Sequence, residues 1–168
     1  ELICAAGEEI NEEKADIIFA GAGLPLNLPS FLKEGSTTKL APIVSSARAL
    51  KVICRRWIGE YGYVPDAVVV EGPKAGGHLG YSHEQLNDPA YALENVVPEV
   101  VEAAREIGEK NGKHIPVIAG GGIYTGEDIV KFMALGADGV QMGTRFVATD
   151  ECDASETFKQ SYVDAKRE

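Results

Sequence analysis

The chain has 168 residues, 45% of them hydrophobic and 25% charged, which is an ordinary globular composition with enough apolar material for one sizeable core. Its formal charge of −10, from 26 acidic and 16 basic residues, would repel a phosphate backbone and excludes nucleic acid as the main partner. No apolar run approaches the roughly 20 residues that a membrane helix needs, and the opening ELICAAGEEINEEK lacks the basic start and apolar stretch of a secretion signal. The expectation is a cytoplasmic protein with no membrane partner, forming one domain over residues 1–168. Cys4, Cys54 and Cys152 are odd in number and widely spaced, which suits reduced thiols rather than a disulfide framework or a zinc site. There is no starting Met, and Glu1 reads as the body or tail of a helix, so the chain looks like a piece of something longer.

In chain order, the first element is ADIIFA (15–20), a short apolar run closed by Gly21-Ala22-Gly23, as expected of a strand buried on both faces. KLAPIVS (39–45), DAVVV (66–70), IPVIA (115–119) and GVQM (139–142) have the same character. Between them the apolar spacing becomes helical. Leu50, Ile53, Cys54, Trp57, Ile58 and Tyr61 form one stripe; Val97, Val100, Val101, Ala104 and Ile107 form a second that stops at Asn111-Gly112. Glu99, Glu102, Glu106 and Glu109 fit the solvated outer face of that second helix. Thr125-Gly-Glu-Asp128 has the spacing of a capping box and opens a third helix closed by Gly136, and a last helix starts at Ser155. Alternating strands and helices give the α/β class, with parallel strands joined by right-handed crossovers. The stretch from Gly72 to about Asn95 is too long for an ordinary strand-to-helix turn and is a candidate functional loop.

Ligands of parallel α/β folds bind at the carboxyl ends of the strands. Three such junctions are unusual here: EGPKAGGHLG (71–80), AGGGIYTGED (119–128) and QMGTRF (141–146). Glycines after two successive strands can turn backbone N–H groups toward an anion, although Gly120-Gly121-Gly122 alone is equally compatible with a tight turn. A Rossmann reading fails because Thr125 stands where the last glycine of GxGxxG belongs; a P-loop reading fails because Glu127-Asp128 follows Gly126. His78, between glycines at a strand end, can reach a ligand and exchange a proton near neutral pH. His83 reads as loop surface, and His114 as a residue leading into a strand.

The three motifs in this order resemble the nitronate monooxygenase (2-nitropropane dioxygenase-like) family, which includes FMN-dependent enoyl-ACP reductases. The similarity runs from ADIIFAGAG through the final helix. It implies a TIM (β/α)8 barrel, of which this chain would supply the fourth to eighth strands, since a complete barrel takes about 250 residues. It also implies FMN, with Gly121, Gly122, Gly143 and Thr144 at the phosphate, Gln141 and Met142 adjoining it, and Glu71, Gly76 and Gly77 lining the flavin. His78 matches the family's active-site histidine. Pro73-Lys74 departs from the pattern, since many relatives are acidic at the second position; Lys74 would alter the polar lining beside the histidine or lie at the surface. The implied activity is oxidation of alkyl nitronates with O2. The alternatives are NADH-dependent reduction of an enoyl thioester and a non-catalytic phosphate-binding or assembly module. A small-molecule substrate is expected, and exposed strand edges would favour a homo-oligomer. Barrels of the inosine monophosphate dehydrogenase type share the glycine pattern but use a loop cysteine, and no cysteine lies between Cys54 and Cys152.

Overall fold

The computed structural model describes residues 15–165, so Cys4 and the helical reading of the first residues lie outside the described part. Strands β1 (Ile17–Ala20), β2 (Lys39–Val44), β3 (Val68–Glu71), β4 (Val117–Gly120) and β5 (Gly139–Gln141) form one parallel sheet whose spatial order equals the chain order. The helices are α1 (Ala47–Tyr61), α2 (Leu93–Asn111), α3 (Gly126–Ala134), α4 (Thr144–Val147) and α5 (Glu156–Asp164). Every crossover therefore steps the same way, and right-handed crossovers stepping the same way lay their helices on one face. A doubly wound sheet would instead reverse direction at an inner strand.

Strand alternation makes that face the core. Leu40, Val44, Val68, Val70, Val117 and Ala119 join Leu50, Ile53 and Trp57 of α1, Val97 and Val100 of α2, and Phe132 of α3 in one apolar cluster. The other residues of each strand, among them Phe19, Ile43, Val69, Glu71, Ile118 and Gln141, point to the opposite face, as the inner wall of a barrel requires. The expectation that every strand is buried on both faces fails at the rims of the sheet. In β1, Ile17 is 39% and Phe19 47% exposed, because an edge strand has a neighbour on one side only and nothing packs over its inner face among the described residues.

Local signals set most helix ends. The Ser46 hydroxyl accepts from the Ala49 N–H, and Gly62, at φ 62°, closes α1. Thr125 and Asp128 form the expected capping box of α3, Gly112 ends α2 at φ 65°, and Ser155 caps α5. The second helix begins at Leu93, earlier than the valine stripe suggests. On its outer side Arg105 bridges Glu102 and Glu109, as a solvated charged face should. The four-residue helix α4 was not anticipated.

At the amino-terminal end of the sheet two aspartates make the same pincer. Asp66 donates its N–H to the Leu40 carbonyl (3.0 Å) and accepts the Leu40 N–H at Oδ2 (2.9 Å). Asp138 does likewise with Val117, at 2.8 and 2.9 Å. Asp66 also accepts from the Tyr63 hydroxyl (2.5 Å) and the Lys113 ammonium (2.8 Å). His114, leading into β4 as expected, brings its Nε2 within 3.2 Å of Asp138. Burial would push the Asp66 carboxyl up, but hydrogen bonds from Lys113, Tyr63 and Leu40 outweigh it and hold it below the usual carboxylate range.

Candidate active site

Strand register aligns Glu71, Gly120 and Gln141 side by side at the carboxyl end of β3, β4 and β5. A Cβ on Gly120 would lie 3.6 Å from both the Glu71 Cγ and the Gln141 Cβ, so the glycine gives these two inner-face side chains a gap between them. Burial raises the Glu71 carboxyl above its ordinary value. No hydrogen-bond donor reaches that carboxylate among the described residues.

The long segment after β3 is fastened rather than loose. Gly72 is packed so closely that a Cβ would meet Leu93 at 2.8 Å, and two short 3-10 turns, Glu84–Asn87 and Pro89–Tyr91, lead into α2. The Tyr81 hydroxyl lies 2.8 Å from the Glu71 carbonyl and 3.1 Å from the Ser45 carbonyl, at the ends of β3 and β2. Burial, and then the Glu71 charge, pushes that hydroxyl up to about 12, which keeps it a hydrogen-bond donor at any physiological pH. The Ser45 hydroxyl donates to the Gly80 carbonyl (3.3 Å), and a Cβ on Gly80 would collide with Ser45. Residues 76–80 thus arch over the ends of β2 and β3. Gly77, at φ 80°, makes the bend that exposes His78. The imidazole has no protein hydrogen-bond partner among the described residues, and it lines a concavity of about 410 Å³ together with Glu71, Ser45 and the loop after β1. In that loop Ala22 adopts φ 57°, the one left-handed non-glycine residue described.

The second glycine loop stands beside the first. Gly121 and Gly122 have φ of 100° and 78°, and Cβ atoms there would meet the Ala75 nitrogen at 2.8 Å and the Lys74 side chain at 2.9 Å. The N–H groups of Gly122 and Ile123 have no protein acceptor among the described residues. Lys74 is exposed and lies against Gly122, while Gly76 and Gly77 are exposed on the arch. Gln141 is exposed at the end of β5, Met142 is half-buried, Thr144 opens α4, and a Cβ on Gly143 would meet open space.

The residues singled out from the sequence therefore share one rim but not one recess. Gly121 and Gly122 open onto a concavity of about 540 Å³ with Lys74 and Lys131, and Gly143 borders another with Phe146 and Cys152. Tyr81 and Ser45 escaped the sequence reading, since their contacts bridge 36 and 35 residues and no local pattern marks them. Among the described residues no group of three or more His, Cys, Asp or Glu side chains could hold a metal ion, and no helix is long and apolar enough to cross a membrane.

A family model described as nitronate monooxygenase matches residues 7–168. A protein of Staphylococcus saprophyticus described as a probable nitronate monooxygenase is 38% identical over 103 residues, 60% of this chain and 26% of that relative. Among solved structures, a mutant of FabK from Thermotoga maritima superposes with a TM-score of 0.74 at 34% identity, covering 96% of this chain and 46% of the other. Nitroalkane oxidase from Streptomyces ansochromogenes superposes with a TM-score of 0.68 at 28% identity, covering 94% and 41%. The match thus spans about a quarter of the curated relative and under half of either solved chain, and the five-stranded sheet corresponds to part of a TIM barrel.

Proposed function

The chain belongs to the nitronate monooxygenase family, and we propose from that premise that it carries the cofactor-anchoring and proton-transferring face of an FMN-dependent oxidoreductase that oxidises alkyl nitronates with O2. The observation that carries this reading is the unpartnered His78 imidazole, held by the fastened arch over the same concavity as Glu71. Gly121, Gly122, Gly143 and Thr144 would hold the phosphate. The left-handed glycines and the free N–H groups of Gly122 and Ile123 suit an anion, because any Cβ at 121 or 122 would collide. Gln141 and Met142 adjoin that position, and Glu71, Gly76 and Gly77 line the flavin side. Bound FMN supplies the electron transfer between substrate and O2.

His78 then takes the α-proton when the substrate arrives as a neutral nitroalkane, and it is dispensable when the substrate is already the nitronate anion. Tyr81, fixed to two strand ends, keeps the arch and its imidazole in register with the sheet. The open edges of β1 and β5 are where further strands, or a second copy, would pair.

The second reading, NADH-dependent reduction of an enoyl thioester, is compatible with the likeness to FabK, which supports it no better than the first. Flavin retention and oxygen uptake separate the two. The protein should bind FMN and consume O2 with propyl nitronate in the absence of NADH. Oxidation of NADH dependent on crotonyl thioester, with no uptake on nitronate, would replace the first reading by the second. Failure to bind any flavin would leave a non-catalytic module.

A further inference from the structure

The glycine loops offer backbone N–H groups but no full charge, and the chain carries a net −10. A phosphate held there needs a cation close by. Of the lysines bordering the Gly121–Gly122 recess, Lys131 is paired with Glu94, and Lys74 lays its stem across Gly122. A further cation, Arg145, stands outside that lining on the neighbouring loop, directly after Gly143 and Thr144. Its guanidinium carbon lies 4.8 Å from the centroid of the Tyr124 ring, and Tyr124 follows Gly121 and Gly122 on the adjacent loop. Among the described residues no carboxylate is within ion-pair distance of Arg145.

The ring itself is anchored from behind. Asp128, the partner of Thr125 in the capping box of α3, accepts from the N–H of Tyr124 (3.0 Å) and of Thr125 (2.8 Å). Tyr124 is nevertheless 49% exposed, so its position is explained by the backbone anchor and the arginine rather than by burial. A guanidinium held over a ring and paired with no carboxylate keeps its N–H donors for another acceptor, and their fork matches phosphate oxygens.

We propose that Arg145, held over the Tyr124 ring, is the cationic ligand of the phosphate cradle, and that the Tyr124–Arg145 contact sets the spacing of the two glycine loops. Arg145 is thus a binding residue and Tyr124 a positioning residue. This rests on the FMN reading for the identity of the ligand, but not for the phosphate chemistry, which inorganic phosphate shares.

The test measures FMN and riboflavin binding by fluorescence quenching, and inorganic phosphate binding by thermal stabilisation, for the wild-type chain and for Arg145→Gln, Arg145→Lys, Tyr124→Leu, Tyr124→Phe and Lys74→Gln. Arg145→Gln should weaken FMN by about 10- to 100-fold and leave riboflavin unchanged. Tyr124→Leu should weaken FMN by about 3-fold, with Tyr124→Phe restoring it, because only the ring is used. Arg145→Lys should fall between wild type and Arg145→Gln, since it keeps the charge and loses the fork. Phosphate stabilisation that depends on Arg145, without any flavin binding, would keep this proposal while removing the flavin reading. The proposal is overturned if Arg145→Gln weakens FMN and riboflavin equally, if it changes neither, if Lys74→Gln alone carries the phosphate-dependent loss, or if the wild type binds neither phosphate nor FMN.

Discussion

The two ends of the parallel sheet use polar residues in opposite ways. At the amino-terminal end, Asp66 and Asp138 each grip both backbone groups of a residue on the neighbouring strand, and Tyr63, Lys113 and His114 complete the network. At the carboxyl end, Glu71 has been desolvated without gaining a donor, His78 has no partner among the described residues, and the glycine loop leaves backbone N–H groups free. Satisfied polar groups hold the strands together at one end. Unsatisfied ones at the other are what a ligand would complete, which is the division expected between the two faces of a barrel.

If that division is right, the largest loss of stability should come from the amino-terminal end. Asp66→Ala removes the acceptor of the Tyr63 hydroxyl and the Leu40 N–H and leaves the Lys113 ammonium with only the Val64 carbonyl, and it should cost about 3 kcal/mol, measured by urea unfolding at pH 7. Because the folded carboxyl titrates below its ordinary value, its contribution is complete above the unfolded pKa of about 4 and is lost as pH falls through the folded pKa. The gap between wild type and Asp66→Ala should therefore narrow on acidification from pH 5 toward 2. A gap that stays constant over that range would mean that the carboxylate charge plays no part.

Asp138→Ala removes the side-chain half of the same pincer from a more exposed position, 41% against 13% for Asp66, and should cost about 1 kcal/mol by the same measurement. Equal losses at the two positions would show that the backbone grip, and not burial, sets the energy. Tyr81→Phe should cost no more than about 1 kcal/mol, but it should free the arch, seen as faster amide exchange over residues 76–82 with little change in β3. Unchanged exchange in that segment would mean that the hydroxyl does not fasten it.

What the sequence revealed depended on how far apart the interacting residues lie. The capping box at Thr125 and Asp128, the left-handed Gly112 and the Ser155 cap involve residues within one turn, so composition alone located those helix ends. Strand and helix order was legible from the change of apolar period, and the glycine-rich junctions marked the rim that carries the candidate site. The pincers of Asp66 and Asp138, the Tyr81–Ser45 tie and the Tyr124–Arg145 contact were not legible, since each joins residues 21 or more apart in the chain. Burial of β1 was misjudged for a related reason. An apolar strand reads alike whether its inner face is covered or, like Ile17 and Phe19, open.

The claim that the carboxyl end is free to serve chemistry is tested most directly by His78→Ala, assayed for unfolding free energy and for oxygen uptake with nitroethane and, separately, with preformed ethyl nitronate. Stability should change by less than about 0.5 kcal/mol, uptake with the neutral nitroalkane should fall by about 100-fold or more, and uptake with the nitronate should stay within a few-fold of wild type. Equal losses on both substrates, or a clear loss of stability, would contradict the assignment of His78 as a proton acceptor on a functional rim.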